Sequence, residues 1–161
     1  MSTQEYRARA LFFEELHVGD TMISPGRTVT ETDLVNFCGL SGDYNELHSN
    51  VEYAGQSSFG QRIAHGLLGM TIASGLAARL GFMEGAVEAF MGIEWKFKQP
   101  IFIGDTVHLL VRVAKLRAMP RLNGGLAFFD MELMNQKDEV VQTGQWVLLM
   151  KSETGGSSID Q

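Results

Sequence analysis

The sequence predicts an α+β fold, a curved antiparallel sheet wrapped around one long hydrophobic helix. Three observations predict it. The stretch "IAHGLLGMTIASGLAARLG" (residues 63–81) is apolar and rich in small residues at helical spacing. From Gly92 onward the apolar residues switch to period two, the repeat of half-buried strands. The helical segments also precede the strands, which suits an α+β domain better than alternating parallel units.

Taken in chain order, the first ten residues are polar and are expected to be loose. In "GRTVTETDLVNFCGL", Thr30 can cap a helix with Asp33 at the capping-box position, followed by Leu34, Val35 and Phe37. That helix is expected to end near Gly39. It delivers the chain into "LSGDYNELHSNVEYA" (residues 40–54), which has no apolar periodicity and reads as a loop.

In the next helix Leu67, Met70, Thr71, Ser74 and Ala78 recur at three- and four-residue steps, with small residues on the other faces. A helix this apolar on nearly every side is expected to be buried. "IEWKF", "VHLLVRV" and "AFFDMEL" alternate cleanly, "VQTGQWVLLM" less so, with "IGD", "NGG" and "NQKDE" as turns. Pro100 belongs in a connection or bulge. Trp95 and the phenylalanines read as core. The segment "SETGGSSIDQ" (152–161) has the composition of a flexible tail. The expectation is one domain over residues 1–161, ordered from about 11 to 151. An open sheet leaves an edge strand, and pairing two such edges across a twofold axis predicts a homodimer.

Composition limits the chemistry. With 161 residues, 45% hydrophobic and 20% charged, the chain can bury a real core. A net charge of −6 argues against a nucleic-acid backbone binder. Cys38 is the only cysteine, so no intrachain disulfide can form. The N-terminus shows no apolar signal region, and no apolar run approaches the ~18 residues of a bilayer span. The expectation is a cytoplasmic protein without a membrane segment.

Asp43 and His48 stand five positions apart in the polar run. An Asp and a His can together orient a water, deprotonate it and return a proton, because their reference pKa values flank neutrality. Gly42 suits a tight turn beside them, and Asn45 can fix the loop through side-chain-to-backbone bonds. Spacing alone favours the plainer reading of the same run, a solvated surface loop. In "IAHGLL", the N–H of Gly66 at a helix start can bind an oxygen on which negative charge develops. By itself that feature also reads as an ordinary helix terminus.

"FCGLSGDYNELHSNVEYA" is similar to the signature of the MaoC-like dehydratases, the (R)-specific enoyl-CoA hydratases. That motif runs aromatic, small residue, Gly-Asp-x-Asn-Pro-aliphatic-His, then a small residue. Its positions here are Phe37, Ser41, Gly42, Asp43, Asn45, Leu47, His48 and Ala54. "FGQRIAHGLLGMTIASGL" resembles the family's second block at the expected distance, and the similarity runs from about Val18 to about Met150. One position departs from it, since Glu46 stands where the family usually has proline. Glu46 is expected to be a solvent-facing loop residue, although a change of acyl specificity is the sharper alternative.

The resemblance implies the hot-dog fold, dimers or assemblies of dimers, and reversible hydration of a trans-2-enoyl-CoA to a 3-hydroxyacyl-CoA. It implies Asp43 and His48 as the catalytic pair and Gly66 as donor to the thioester oxygen. Asn45 and Ser74 are supporting residues; Ser74 by period equally faces the helix packing surface. No cofactor is expected beyond the substrate's own coenzyme A, and no metal, since His48 and His65 lack a third ligand at metal spacing. His65 and Cys38 are expected to be structural. Arg62, Lys96, Lys98, Arg117 and Arg121 are available for the coenzyme A phosphates, and "GFMEGAVEAFMG" for lining or capping the acyl tunnel. A hot-dog thioesterase or a silent acyl-CoA-binding module are the alternatives; nucleic acid and membrane partners are not expected.

Overall fold

The computed structural model describes residues 9–153. The first eight residues of the expected loose N-terminus, and the expected tail from position 154, lie outside the described residues. The remainder of that tail is held: Ser152 donates its N–H to Asn123 O (3.0 Å) and its hydroxyl meets the Glu14 carboxylate.

Six strands form an antiparallel sheet: β1 (Thr21–Ile23), β2 (Arg27–Thr28), β3 (Val87–Phe97), β4 (Thr106–Met119), β5 (Gly124–Met134) and β6 (Val140–Lys151). Their order is β1-β4-β5-β6-β3, with β2 paired to the start of β4. The sheet curves around α4 (Gly66–Arg79), the hot-dog architecture, and the two share one core. Period two decides which side chains enter it. Val107, Leu109, Val111 and Val113 of β4, and Ala127, Phe129, Met131 and Leu133 of β5, are all fully buried. Each of the larger ones contributes about 1.5–3 kcal/mol by leaving water.

Several expectations are corrected. Strand β3 begins at Val87, five residues before Gly92, because register shifts near Val87–Gly92 break the alternation. "GFMEGAVEAFMG" therefore supplies core and strand rather than a tunnel cap, with the Phe82 and Phe129 ring centres 5.3 Å apart and their planes tilted by 53°. The phenylalanines are not all core: Phe90 and Phe97, with Met91 and Ile93, are about half exposed along the free edge of β3. On α4, Leu67, Thr71, Ser74 and Ala78 face outward, while Leu68, Gly69, Ile72, Ala73, Leu76 and Ala77 are buried. The helix is thus buried on one side only. Nearly uniform apolarity hid which side it is.

Helix α1 (Glu31–Ser41) starts as expected, the Asp33 carboxylate accepting from the Thr30 N–H (2.8 Å) and hydroxyl (2.9 Å). It runs past Gly39 and stops at Gly42, whose φ of +75° is one that glycine adopts without strain. The expected loop beyond it contains two short helices, α2 (Glu46–Ser49) and α3 (Val51–Gly55). Each is started by an asparagine: Asn45 Oδ1 accepts from Leu47 N–H (3.0 Å) and Asn50 Oδ1 from Tyr53 N–H (3.1 Å). Elements of four and five residues are too short to show a helical period.

Candidate active site

Asp43 follows the left-handed turn at Gly42, which directs the chain back toward α2. Its N–H donates to Ser41 Oγ (3.1 Å), and its Oδ1 accepts from the N–H of Asn45 (3.1 Å). The Asn45 side chain holds the other end of the bend, its Oδ1 accepting from the Leu47 N–H (3.0 Å), a side-chain-to-backbone bond of the kind expected. His48 sits on α2 with Nδ1 2.8 Å from the Ile63 carbonyl. A carbonyl only accepts, so Nδ1 carries the proton and Nε2 the lone pair. His65 enters from the start of α4 and stacks on His48, ring centres 3.8 Å apart and planes 30° apart. Its Nε2 is 3.0 Å from the Asp43 carbonyl. A carboxylate oxygen of Asp43 and one nitrogen of each histidine lie within 4.8 Å of one another.

The expectation that the two histidines lack a third ligand does not hold, since Asp43 supplies one. His65 is 3% exposed, and its Nδ1 is buried with no partner among the described residues. Such an orphan costs about 1–3 kcal/mol. Cys38, also buried, places Sγ 3.7 Å from His65 Nε2.

Burial pushes the His65 pKa below 6.5, and neighbouring His48 adds to this, against the opposing pull of the Asp43 carbonyl. The unfolded chain therefore takes a proton here before the folded one does. Stability from this source is complete above about pH 6.5 and declines as pH falls below it. Thermal midpoints are expected to drop between pH 7.5 and 5.5, and to drop less in His65→Gln. The carboxylates act in a separate window: hydrogen bonding from Arg62 lowers the Glu31 pKa, so that contribution is lost only below about pH 4.5.

A cleft of about 420 Å³ opens beside His48. Gly66, Leu67, Phe97, Pro100, Ile101 and Gln142 contribute to its largely apolar wall. Gly66 is the first residue of α4, so its N–H has no acceptor within the helix. Gln142, 2% exposed, accepts from Trp95 Nε1–H (2.9 Å) and donates to Gly66 O (3.0 Å), tying β6 and β3 to the start of α4. The Phe97 ring lies directly on Gly66, where a Cβ would be 2.8 Å from two of its carbons.

The structure therefore brings Asp43, His48 and His65 together and puts Gly66 in the cleft that His48 lines. Asp43 itself is exposed and forms no part of that wall. Ser74 lies two turns along α4, on its exposed face and away from the cleft. Of the expected cations, Arg62 is paired with Glu31 and Lys96 with Glu94, Arg117 and Arg121 lie outside the wall, and Lys98 lines it. Of the wall from Phe97 to Ile101 and Gln142, the sequence marked only Lys98, as a cation, and Pro100, as a connection; nothing in β6 distinguishes Gln142 from Gln145. Glu46 occupies the first position of α2, where proline is equally at home, and it accepts from Asn50 Nδ2 (2.9 Å). It faces solvent, as expected.

A sheet curled around a central helix is the hot-dog fold, and in it a carboxylate and an imidazole meet next to an apolar cleft that the imidazole lines. More narrowly, the chain belongs to the MaoC like domain family, which matches residues 14–122. It is 37% identical over 109 residues to the 3-hydroxybutyryl-CoA dehydratase of Methylorubrum extorquens, covering 67% of each chain. It is 39% identical over 106 residues to the (R)-specific enoyl-CoA hydratase of Rhodospirillum rubrum, covering 65% of this chain and 71% of that one. Against Protein MaoC of Klebsiella aerogenes, 39% identical over 99 residues, the match covers 61% of this chain and only 29% of that protein. A solved Archaeoglobus fulgius structure, described as a monoamine oxidase regulatory protein, superposes with a TM-score of 0.84 at 33% identity. That match covers 91% of this chain and 99% of the other. Among the described residues no helix is long and apolar enough to cross a membrane.

Proposed function

We propose that the protein is an (R)-specific enoyl-CoA hydratase, adding water reversibly to a trans-2-enoyl-CoA. The observation that carries this reading is the meeting of Asp43 with His48, which lines the cleft that Gly66 also lines. Hydration needs a base for the water, an acid for C2 and a donor for the thioester oxygen. The Asp43 carboxylate and the His48 Nε2 lone pair hold one water between them. One proton of that water passes to the pair as its oxygen bonds to C3, and a proton from the pair is delivered to C2. The two groups act as a coupled unit. Gly66 N–H meets the thioester oxygen as the enolate forms, an interaction of about 3 kcal/mol in comparable sites. Only water and protons move, so the reaction calls for no cofactor. Lys98 lines the cleft, and its charge would suit a coenzyme A phosphate.

The exposed apolar edge of β3 supports pairing with a second copy, which would continue the sheet across a twofold axis. Sedimentation at micromolar concentration is expected to give twice the 17.8 kDa chain mass, and Ile93→Lys to give the monomer.

Incubation with crotonyl-CoA tests the function. The enoyl absorbance is expected to fall with no release of free thiol. Thiol release would instead identify a thioesterase, and inertness toward a panel of enoyl-CoAs would identify a silent binding module.

A further inference from the structure

We propose that His65 is a positioning residue for the Asp43–His48 pair, its Nε2–H holding the Asp43 carbonyl while its ring backs that of His48. The claim deepens the hydratase reading, and one of its readouts does not depend on that reading.

The argument begins with where the ring comes from. Asp43 and His48 lie on the turn and short helix that follow α1, whereas His65 stands at the entry to α4, immediately before Gly66. One side chain therefore joins the two halves of the site. Its Nε2 is 3.0 Å from the Asp43 carbonyl, and its ring centre is 3.8 Å from that of His48. The Phe37 ring, 4.8 Å away, and Cys38 Sγ, 3.7 Å from Nε2, hold it from α1. Little freedom is left to it.

The second point is the orphan nitrogen. A ring needed only to fill this volume would be better as phenylalanine, because Nδ1 is buried without a partner. What histidine adds over phenylalanine at this place is the donor on Nε2. That donor is spent on the backbone of Asp43, the residue whose carboxylate must face the water. Because displacements of about 1 Å can cost on the order of a hundredfold in rate, a bend held at its carbonyl matters to turnover more than to folding.

Two variants separate the parts. His65→Phe keeps a ring against His48 and removes the donor; His65→Gln removes the ring and keeps an amide N–H within reach of the carbonyl. With crotonyl-CoA, His65→Phe is expected to lose about tenfold or more in kcat with KM within about twofold, and His65→Gln to recover most of that loss. Amide hydrogen exchange at Asn45, Leu47 and His48, all bonded within the bend, is expected to accelerate in His65→Phe and to stay near wild type in His65→Gln. Wild-type kcat in His65→Phe, or equal losses in both variants, would overturn the proposal. If the phenylalanine variant does not fold, His65→Gln decides alone: kcat within about threefold of wild type sustains the claim and a larger loss overturns it. If the wild-type protein hydrates no enoyl-CoA, the hydratase reading fails by itself. Exchange then settles the positioning role, and unchanged rates in His65→Phe refute it.

Discussion

Asp43→Asn is expected to lower crotonyl-CoA hydration by about 10²- to 10⁴-fold while leaving the fold untouched. The substitution is close to isosteric, and an amide oxygen can still accept the Asn45 N–H that Asp43 Oδ1 holds at 3.1 Å. The bend therefore survives and only the base is lost. His48→Ala is expected to cause a loss of similar size, with a structural cost because the bond from Nδ1 to Ile63 O and the stack on His65 disappear. One such bond contributes about 1 kcal/mol, small against ordinary domain stability. Rates are to be compared per folded molecule, using circular dichroism and thermal midpoints. Turnover near wild type in either variant would remove the proposed mechanism.

Gly66→Ala is expected to lower kcat/KM by roughly tenfold or more without a matching loss of stability. An alanine Cβ would meet two Phe97 ring carbons at 2.8 Å, so the ring or the start of α4 must shift. Both line the cleft, and the shift falls where the thioester oxygen is expected to sit. Helix propensity points the other way, since alanine is favoured over glycine by about 1 kcal/mol within a helix. Stability and activity are therefore predicted to separate. Phe97→Ala in the same chain removes the obstacle and is expected to restore much of the activity. A single variant as active as wild type would show that the Phe97 contact does not set the position of this amide.

The fold was legible where one face of an element is buried and the other is wet. The alternations of β4 and β5 named their core residues without error, and Thr30 with Asp33 marked the start of α1. Legibility failed where that contrast is weak. Helix α4 is apolar all round, so its periodicity could not say which side meets the sheet. Strand β3 begins in a bulged stretch and is exposed on both faces, so its first residues gave no alternating signal. Strands β1 and β2 are three and two residues long, too short for any period to show.

At the site, Asp43, His48 and Gly66 were visible because side-chain chemistry and spacing mark them. His65 was visible only as a structural residue, since a stacking distance between residues 17 positions apart is a property of the folded chain. Phe97 and Gln142 are distant from each other in sequence and reach the cleft together as register partners of β3 and β6. Sheet register is a long-range fact that local pattern does not encode.

Phe97 closes the cleft from the last position of the outermost strand, whose other rim is open. Should a second copy lie along that rim, the pocket wall and the subunit seam become one piece of backbone. Specific activity would then decline on dilution through the dissociation constant of the pair. Enzyme concentration would enter the rate law as a variable in its own right.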